Sequence, residues 1–126
     1  MHRPPRMRAN FRDGTLVSVQ PPVCDEFLAG TDVGATGAKP ALRAYLDAAR
    51  THLLSLHDAG ASGRTVNEAH ADLIDPLVRL LFKAGEQRYF ATAPRLGSQR
   101  MAILAVGGYG RRELSLGSDI DLLFVY

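Results

Sequence analysis

The sequence predicts an α/β fold in which a helical pair leads into the first strands of a sheet, and three observations predict it. Apolar residues recur at helical spacing through residues 40–84. Two unbroken apolar runs of strand length occupy residues 101–106 and 120–126, and Gly107-Gly108 punctuates the first of them. The 126 residues, 46% hydrophobic and 22% charged, fit one globular core rather than two.

Residues 1–39 hold four of the seven prolines and the glycine-rich stretch GTDVGATGAK, with two short apolar patches at Leu16-Val17 with Val19 and at Phe27-Leu28. They read as a disordered or loop-rich leader with at most one short strand. Residues 40–100 read as a helical segment. In it Leu42, Tyr45, Leu46, Ala49, Leu53, Leu54 and Leu56 follow the i, i+3, i+4, i+7 rule. Pro40 suits the first turn, and Gly60 and Gly63 supply the stop. A second helix is expected from Thr65, where Thr65-Val66-Asn67-Glu68 matches a capping box with Thr65 as N-cap and Glu68 reaching back. Its stripe is Val66, Ala69, Leu73, Ile74, Leu77, Leu80, Leu81 and Ala84. Pro76 sits inside it, predicting either a kink or a new helix capped by Asp75. The short linker AGASGR predicts that the two helices pack antiparallel. After a polar connection at residues 94–100, residues 101–106 read as a buried strand and residues 120–126 as a second.

Charge and cysteine usage exclude several classes. The 13 arginines and 2 lysines are scattered, and the net charge is only +2. The densest basic stretch, Arg3, Arg6, Arg8 and Arg12 interleaved with Pro4 and Pro5, reads as a solvated tail and not as a nucleic-acid surface. Cys24 is the only cysteine, which rules out an intrachain disulfide and a Cys-x-x-Cys metal site and fits a reducing cytoplasm. No stretch has the apolar core of a signal peptide or the length of a membrane span. A cytoplasmic protein with neither nucleic acid nor membrane as partner is expected.

The chemistry concentrates in the last 22 residues, AVGGYGRRELSLGSDIDLLFVY. Asp119 and Asp121 stand two apart at the start of the second strand, so their carboxylates share a face while Ile120 and Leu122 take the other. Two carboxylates so close repel unless a cation lies between them, and Mg²⁺ accepts such oxygens alongside substrate phosphates. Both aspartates are therefore candidate metal ligands and catalytic residues. Gly107 and Gly108 lack the Cβ atoms that would keep a triphosphate from the backbone N–H groups, and Tyr109 is expected to open a short helix reaching Leu114 behind them. Ser118 offers a hydroxyl to a phosphate oxygen, and Arg111 and Arg112 are candidate counter-charges, at most one of which need point inward.

Gly107-Gly108, ten intervening residues and then Asp119-Ile120-Asp121 among apolar neighbours resemble the motif of the polymerase-beta-type nucleotidyltransferase superfamily. More narrowly, GGYGRREL followed by SDIDLL is similar to the bacterial uridylyltransferase family that modifies the nitrogen-regulatory PII protein. The likeness is specific over residues 105–124, vague over the helices and absent from residues 1–39. It implies a polymerase-beta-like sheet, of which residues 101–126 would be the truncated, incomplete start, and Mg²⁺-dependent transfer of UMP from UTP to a tyrosine of PII. It also implies a third carboxylate on a later strand, an HD-type hydrolase domain that removes the UMP, and ACT domains that sense glutamine. The chain is therefore expected to be an N-terminal fragment, inactive alone.

Other residues have plainer readings. His57-Asp58 spells HD but lacks the further ligands of such a hydrolase, and His52, His57 and His70 read as surface or helix-packing residues. Cys24 reads as a small buried hydrophobe. Two other functions share parts of the pattern. One is nucleotidyl transfer to another acceptor, as in the adenylyltransferase of glutamine synthetase or a CBS-linked nucleotidyltransferase, for which ATP or another nucleoside triphosphate replaces UTP. The other is a non-catalytic module whose working surface is the leucine-striped helical pair.

Overall fold

The computed structural model describes residues 11–12, 15–16, 19–93 and 100–126. Arg3, Arg6 and Arg8 of the expected solvated tail, and residues 94–99 of the polar connection, lie outside the described residues, whereas Arg12, expected in the same tail, stands in a short strand. Two-residue strands β1 (Phe11–Arg12) and β2 (Thr15–Leu16) pair antiparallel ahead of a single helical turn, α1 (Cys24–Phe27). A 3₁₀ turn at Thr36–Ala38 leads into α2 (Lys39–Asp58), and α3 (Gly63–Thr92) follows. Strand β3 (Ala102–Ala105), the one-turn helix α4 (Gly107–Gly110) and strand β4 (Leu122–Val125) complete the order.

The expected antiparallel helix pair is present, with its starting point shifted. Helix α3 begins at Gly63, and its N-cap is Ser62, whose Oγ accepts from the Thr65 N–H at 3.1 Å. Glu68 does not reach back; it takes the Arg64 Nε–H at 2.9 Å one turn along the exposed side. The expected box at Thr65 is thus displaced by three residues, because Ser62 has the extended backbone a cap needs (φ −65°, ψ 153°). Ser62→Ala is expected to destabilise the fold by about 1 kcal/mol, read as a lowered urea midpoint with an unchanged slope. Helix α3 also runs unbroken through Pro76, and Asp75 caps nothing there. The ring removes only the hydrogen bond to the Asp72 carbonyl, and packing of the buried face outweighs that loss.

Packing follows the stripes. Ala49 and Leu53 of α2 meet Val66 and Leu73 of α3, while Tyr45 joins Leu77 nearer the other end, the order antiparallel helices require. Tyr45 is fully buried, and its hydroxyl donates to the Leu73 carbonyl at 2.7 Å. Burial, helped by the Cys24 thiol and Asp25, pushes its phenol up to about 12. Leu46 and Leu54, counted in the stripe, lie at its exposed margin. The second half of the loop-rich leader belongs to the core: Cys24 and Leu28 are buried against Tyr45 and Leu77, and the Phe27 ring meets Tyr45 edge-on at 5.7 Å. His52, also buried, donates from Nδ1 to the Val19 carbonyl at 3.0 Å, a helix-packing role as expected.

Strands β3 and β4 form an antiparallel pair with Ala102 opposite Val125 and Ala105 opposite Leu122. Burial on both faces, expected from their unbroken apolar character, is not found. In a two-stranded ribbon the residues of one face, Ile103, Leu122 and Phe124, turn toward α3, where Phe124 lies 6.5 Å from the Phe82 ring. The alternate residues Leu104, Leu123 and Val125 are left exposed. Between α3 and the ribbon runs an apolar groove of about 410 Å³. A helix-rich α/β segment with a small antiparallel sheet is therefore the architecture.

Candidate functional site: a glycine turn against Asp121

The β3–β4 ladder determines what faces what. One rung beyond the Ala105–Leu122 pair, the Val106 N–H donates to the Asp121 carbonyl at 3.1 Å, which fixes Asp121 opposite the point where β3 ends. There the chain turns sharply. Gly107 takes φ +60°, a left-handed conformation that costs residues with a Cβ about 1–2 kcal/mol. A Cβ on Gly107 would stand 2.7 Å from Asp121 Oδ2, so the carboxylate lies directly against the glycine's Cα. Gly107 and Asp121, fourteen positions apart in sequence, are thereby brought together.

The helical turn begins at the glycines themselves and ends at Gly110, where a helix from Tyr109 to Leu114 was expected. Gly110 donates to the Val106 carbonyl at 2.9 Å and Arg111 to Gly107 at 3.2 Å. Arg112, at φ +59°, then reverses the chain and ends the helix, donating to the Tyr109 carbonyl at 3.0 Å. Glu113 N–H closes the loop onto Gly108 at 2.8 Å. Gly110, which sequence reading passed over, is required by close approach: a Cβ there would lie 2.5 Å from the Ala105 carbonyl oxygen.

Asp119 and Asp121 are exposed and lie just ahead of β4, which starts at Leu122, and not within the strand as expected. Ser118 caps the turn before them, its N–H donating to the Ser115 carbonyl at 3.1 Å and its hydroxyl paired with that of Ser115. Gly117, at φ +89°, permits that turn. Arg111 is exposed and pairs locally with Glu113 at 3.0 Å. Arg112 points the other way, onto α3, where it pairs with Asp72 and, at 3.3 Å, with Asp75.

The turn is carried on α3. Tyr109 and Leu114 are buried with Ala71 and Ile74, and burying a side chain the size of Leu114 contributes about 1.5–3 kcal/mol. The Tyr109 hydroxyl donates to Asp75 Oδ1 at 2.6 Å, and burial together with that bond raises its phenol well above the ordinary value. His70 donates from Nδ1 to the Leu114 carbonyl at 3.0 Å. Tyr109 and Leu114 lie within the motif, but nothing in the sequence ties Asp75 or His70 to it beyond a carboxylate at Asp75 beside the apolar stripe.

Among the described residues no group of three or more His, Cys, Asp and Glu side chains is placed to hold a metal. A carboxylate held against a glycine turn, as that of Asp121 is, is the kind of hard oxygen donor that suits a cation taking its remaining oxygens from a ligand and water. No described helix is long and apolar enough to cross a membrane.

A glycine turn that brings an aspartate against its backbone is, as a class, an arrangement able to hold an oxyanion and a cation side by side. Comparison with known proteins gives the relationship. Over 94 residues, 71% of this chain, it is 39% identical to the bifunctional uridylyltransferase/uridylyl-removing enzyme of Erythrobacter litoralis, and over 75% of the chain it is 34% identical to that of Bradyrhizobium diazoefficiens. The enzyme of the same name from Novosphingobium aromaticivorans is 38% identical over 67% of the chain. The sequence relationship is thus with the bifunctional uridylyltransferase/uridylyl-removing enzymes, and the chain spans about a tenth of the length of these relatives. No protein-family model matches the chain, and no solved structure matches it.

Proposed function

We propose that this chain supplies the nucleotide-holding turn and the first metal-binding carboxylates of a nucleotidyltransferase that moves UMP from UTP to a tyrosine of the PII protein. The observation that carries the reading is the contact of the Asp121 carboxylate with the Cα of Gly107, and the similarity to bifunctional uridylyltransferase/uridylyl-removing enzymes supports uridylyl transfer over the adenylyl alternative. In this reading the N–H groups of Gly107 and Gly108 receive phosphate oxygens where no side chain stands in the way. Ser118 adds a hydroxyl donor and Arg111 an exposed counter-charge, while Arg112 serves the turn from behind. Asp119 and Asp121 are the side chains that would hold Mg²⁺. When bound, the ion neutralises charge on the triphosphate and steadies the attacking and leaving oxygens. The tyrosine oxygen forms a bond to the α-phosphorus, the bond from that phosphorus to pyrophosphate breaks, and the phenolic proton is lost to solvent or base.

The test is to incubate the whole natural protein with PII and UTP labelled at the α-phosphate. Label is expected on a PII tyrosine, with ATP a poorer donor; absence of label from UTP, or better transfer from ATP, would overturn the assignment of donor and acceptor.

A further inference from the structure

We propose that Asp75, acting through Tyr109 and Arg112, is a positioning residue that sets the angle at which the Gly107-Gly108 turn meets a nucleotide; this rests on the reading of that turn given above. The turn is fastened to α3 at several points. Asp75 Oδ1 takes the Tyr109 hydroxyl at 2.6 Å, and Asp75 Oδ2 takes the Arg112 guanidinium at 3.3 Å. One carboxylate therefore grips the helical turn and the residue that reverses the chain after it. Asp72 engages the same guanidinium, and the His70 imidazole holds the exit of the loop through the Leu114 carbonyl at 3.0 Å.

Two features point to orientation as the purpose of this grip. The ion pairs are open to solvent, with the Arg112 side chain 46% accessible and its partners Asp72 and Asp75 67% and 32%, and pairs so exposed add little to stability. Yet Arg112 is held at φ +59°, a conformation that residues with a Cβ avoid. The buried Tyr109, Leu114, Ala71 and Ile74 already supply the packing that keeps the loop on the helix. What the polar bonds add is a fixed direction for the backbone that runs from Tyr109 back to Gly107, whose Cα abuts Asp121. Asp121 keeps its own place through the Val106 rung at 3.1 Å and through the packing of its neighbour Leu122 on the cluster that includes Ala71, Ile74 and Leu114, contacts that do not pass through the Asp75 carboxylate. Loosening the grip should therefore disturb the glycine N–H groups and spare the carboxylates.

Tyr109→Phe, which removes one hydroxyl, and Asp75→Asn, which removes the charge holding Arg112, test this in the whole natural protein. Both are expected to weaken UTP binding about tenfold through misplacement of the turn, to leave Mn²⁺ affinity in the absence of nucleotide unchanged, and to shift the melting temperature by no more than a few degrees. Amide exchange should quicken at Gly110, Arg111 and Glu113, whose N–H groups bond within the turn, and stay constant at Ala49 and Leu53. UTP affinity equal to that of the wild type in both variants overturns the proposal, as does a parallel loss of UTP and Mn²⁺ binding with a large fall in melting temperature, which marks a merely structural role. A wild-type protein that binds no UTP overturns the phosphate reading of the turn instead. The grip is then judged by exchange alone, and unaltered exchange at Gly110, Arg111 and Glu113 sinks it.

Discussion

Gly107→Ala is expected to reduce nucleotidyl transfer at least about 100-fold while lowering the melting temperature by only a few degrees. Two effects combine at this position. The left-handed φ of +60° costs an alanine about 1–2 kcal/mol, a loss that a folded core of this size withstands. The added methyl would also stand 2.7 Å from Asp121 Oδ2, so the carboxylate must swing away or the turn must back off. Either movement separates the two groups whose contact defines the site, and a displacement of about 1 Å in a preorganised site is enough for a loss of this size. Steady-state transfer rates beside a thermal melt check the expectation. Equal loss of both, tracking the folded fraction, would show that Gly107 matters only to stability.

The second large effect is expected for Asp121→Asn. The substitution keeps the size and the backbone rung to Val106 at 3.1 Å and removes only the charge. If the carboxylate holds the cation that neutralises a triphosphate, transfer falls at least about 100-fold, since a metal ion supplies several kcal/mol of charge stabilisation and each 1.4 kcal/mol is tenfold. The folded state should be unaffected, because the side chain is exposed. Lost activity with unchanged stability is the mark of a binding carboxylate. A melting temperature that drops with the activity would assign Asp121 a structural role.

Much of this arrangement could be read from the chain because it rests on local chemistry. The stripes through Tyr45, Ala49 and Leu53 and through Val66, Leu73 and Leu77 give the helices and their antiparallel order, since their period matches the helix. The paired runs at β3 and β4 and the glycines between them follow in the same way. What was not legible depended on contacts between distant segments. Ser62 outcompetes Thr65 as N-cap because the linker enters in an extended conformation, which the box pattern does not encode. Asp75 looked like a cap or a kink residue beside Pro76, whereas its partners Tyr109 and Arg112 lie more than thirty positions away. Arg112 looked equivalent to Arg111 until the left-handed turn at Arg112 sent the two guanidinium groups to different sides. Gly110 gave no sign of its own, because only the return of the chain onto Ala105 makes a Cβ there intolerable.

A nucleotide and its cation seated between the glycine turn and Asp119 and Asp121 can be detected with Mn²⁺ and UTP added together to the isotopically labelled 126-residue chain, read as paramagnetic broadening of amide resonances, which registers even weak binding. Broadening is expected to centre on Gly107, Gly108, Asp119 and Asp121 and to disappear in Asp121→Asn. Broadening centred elsewhere, or broadening at the turn that persists unchanged in that variant, would contradict that placement.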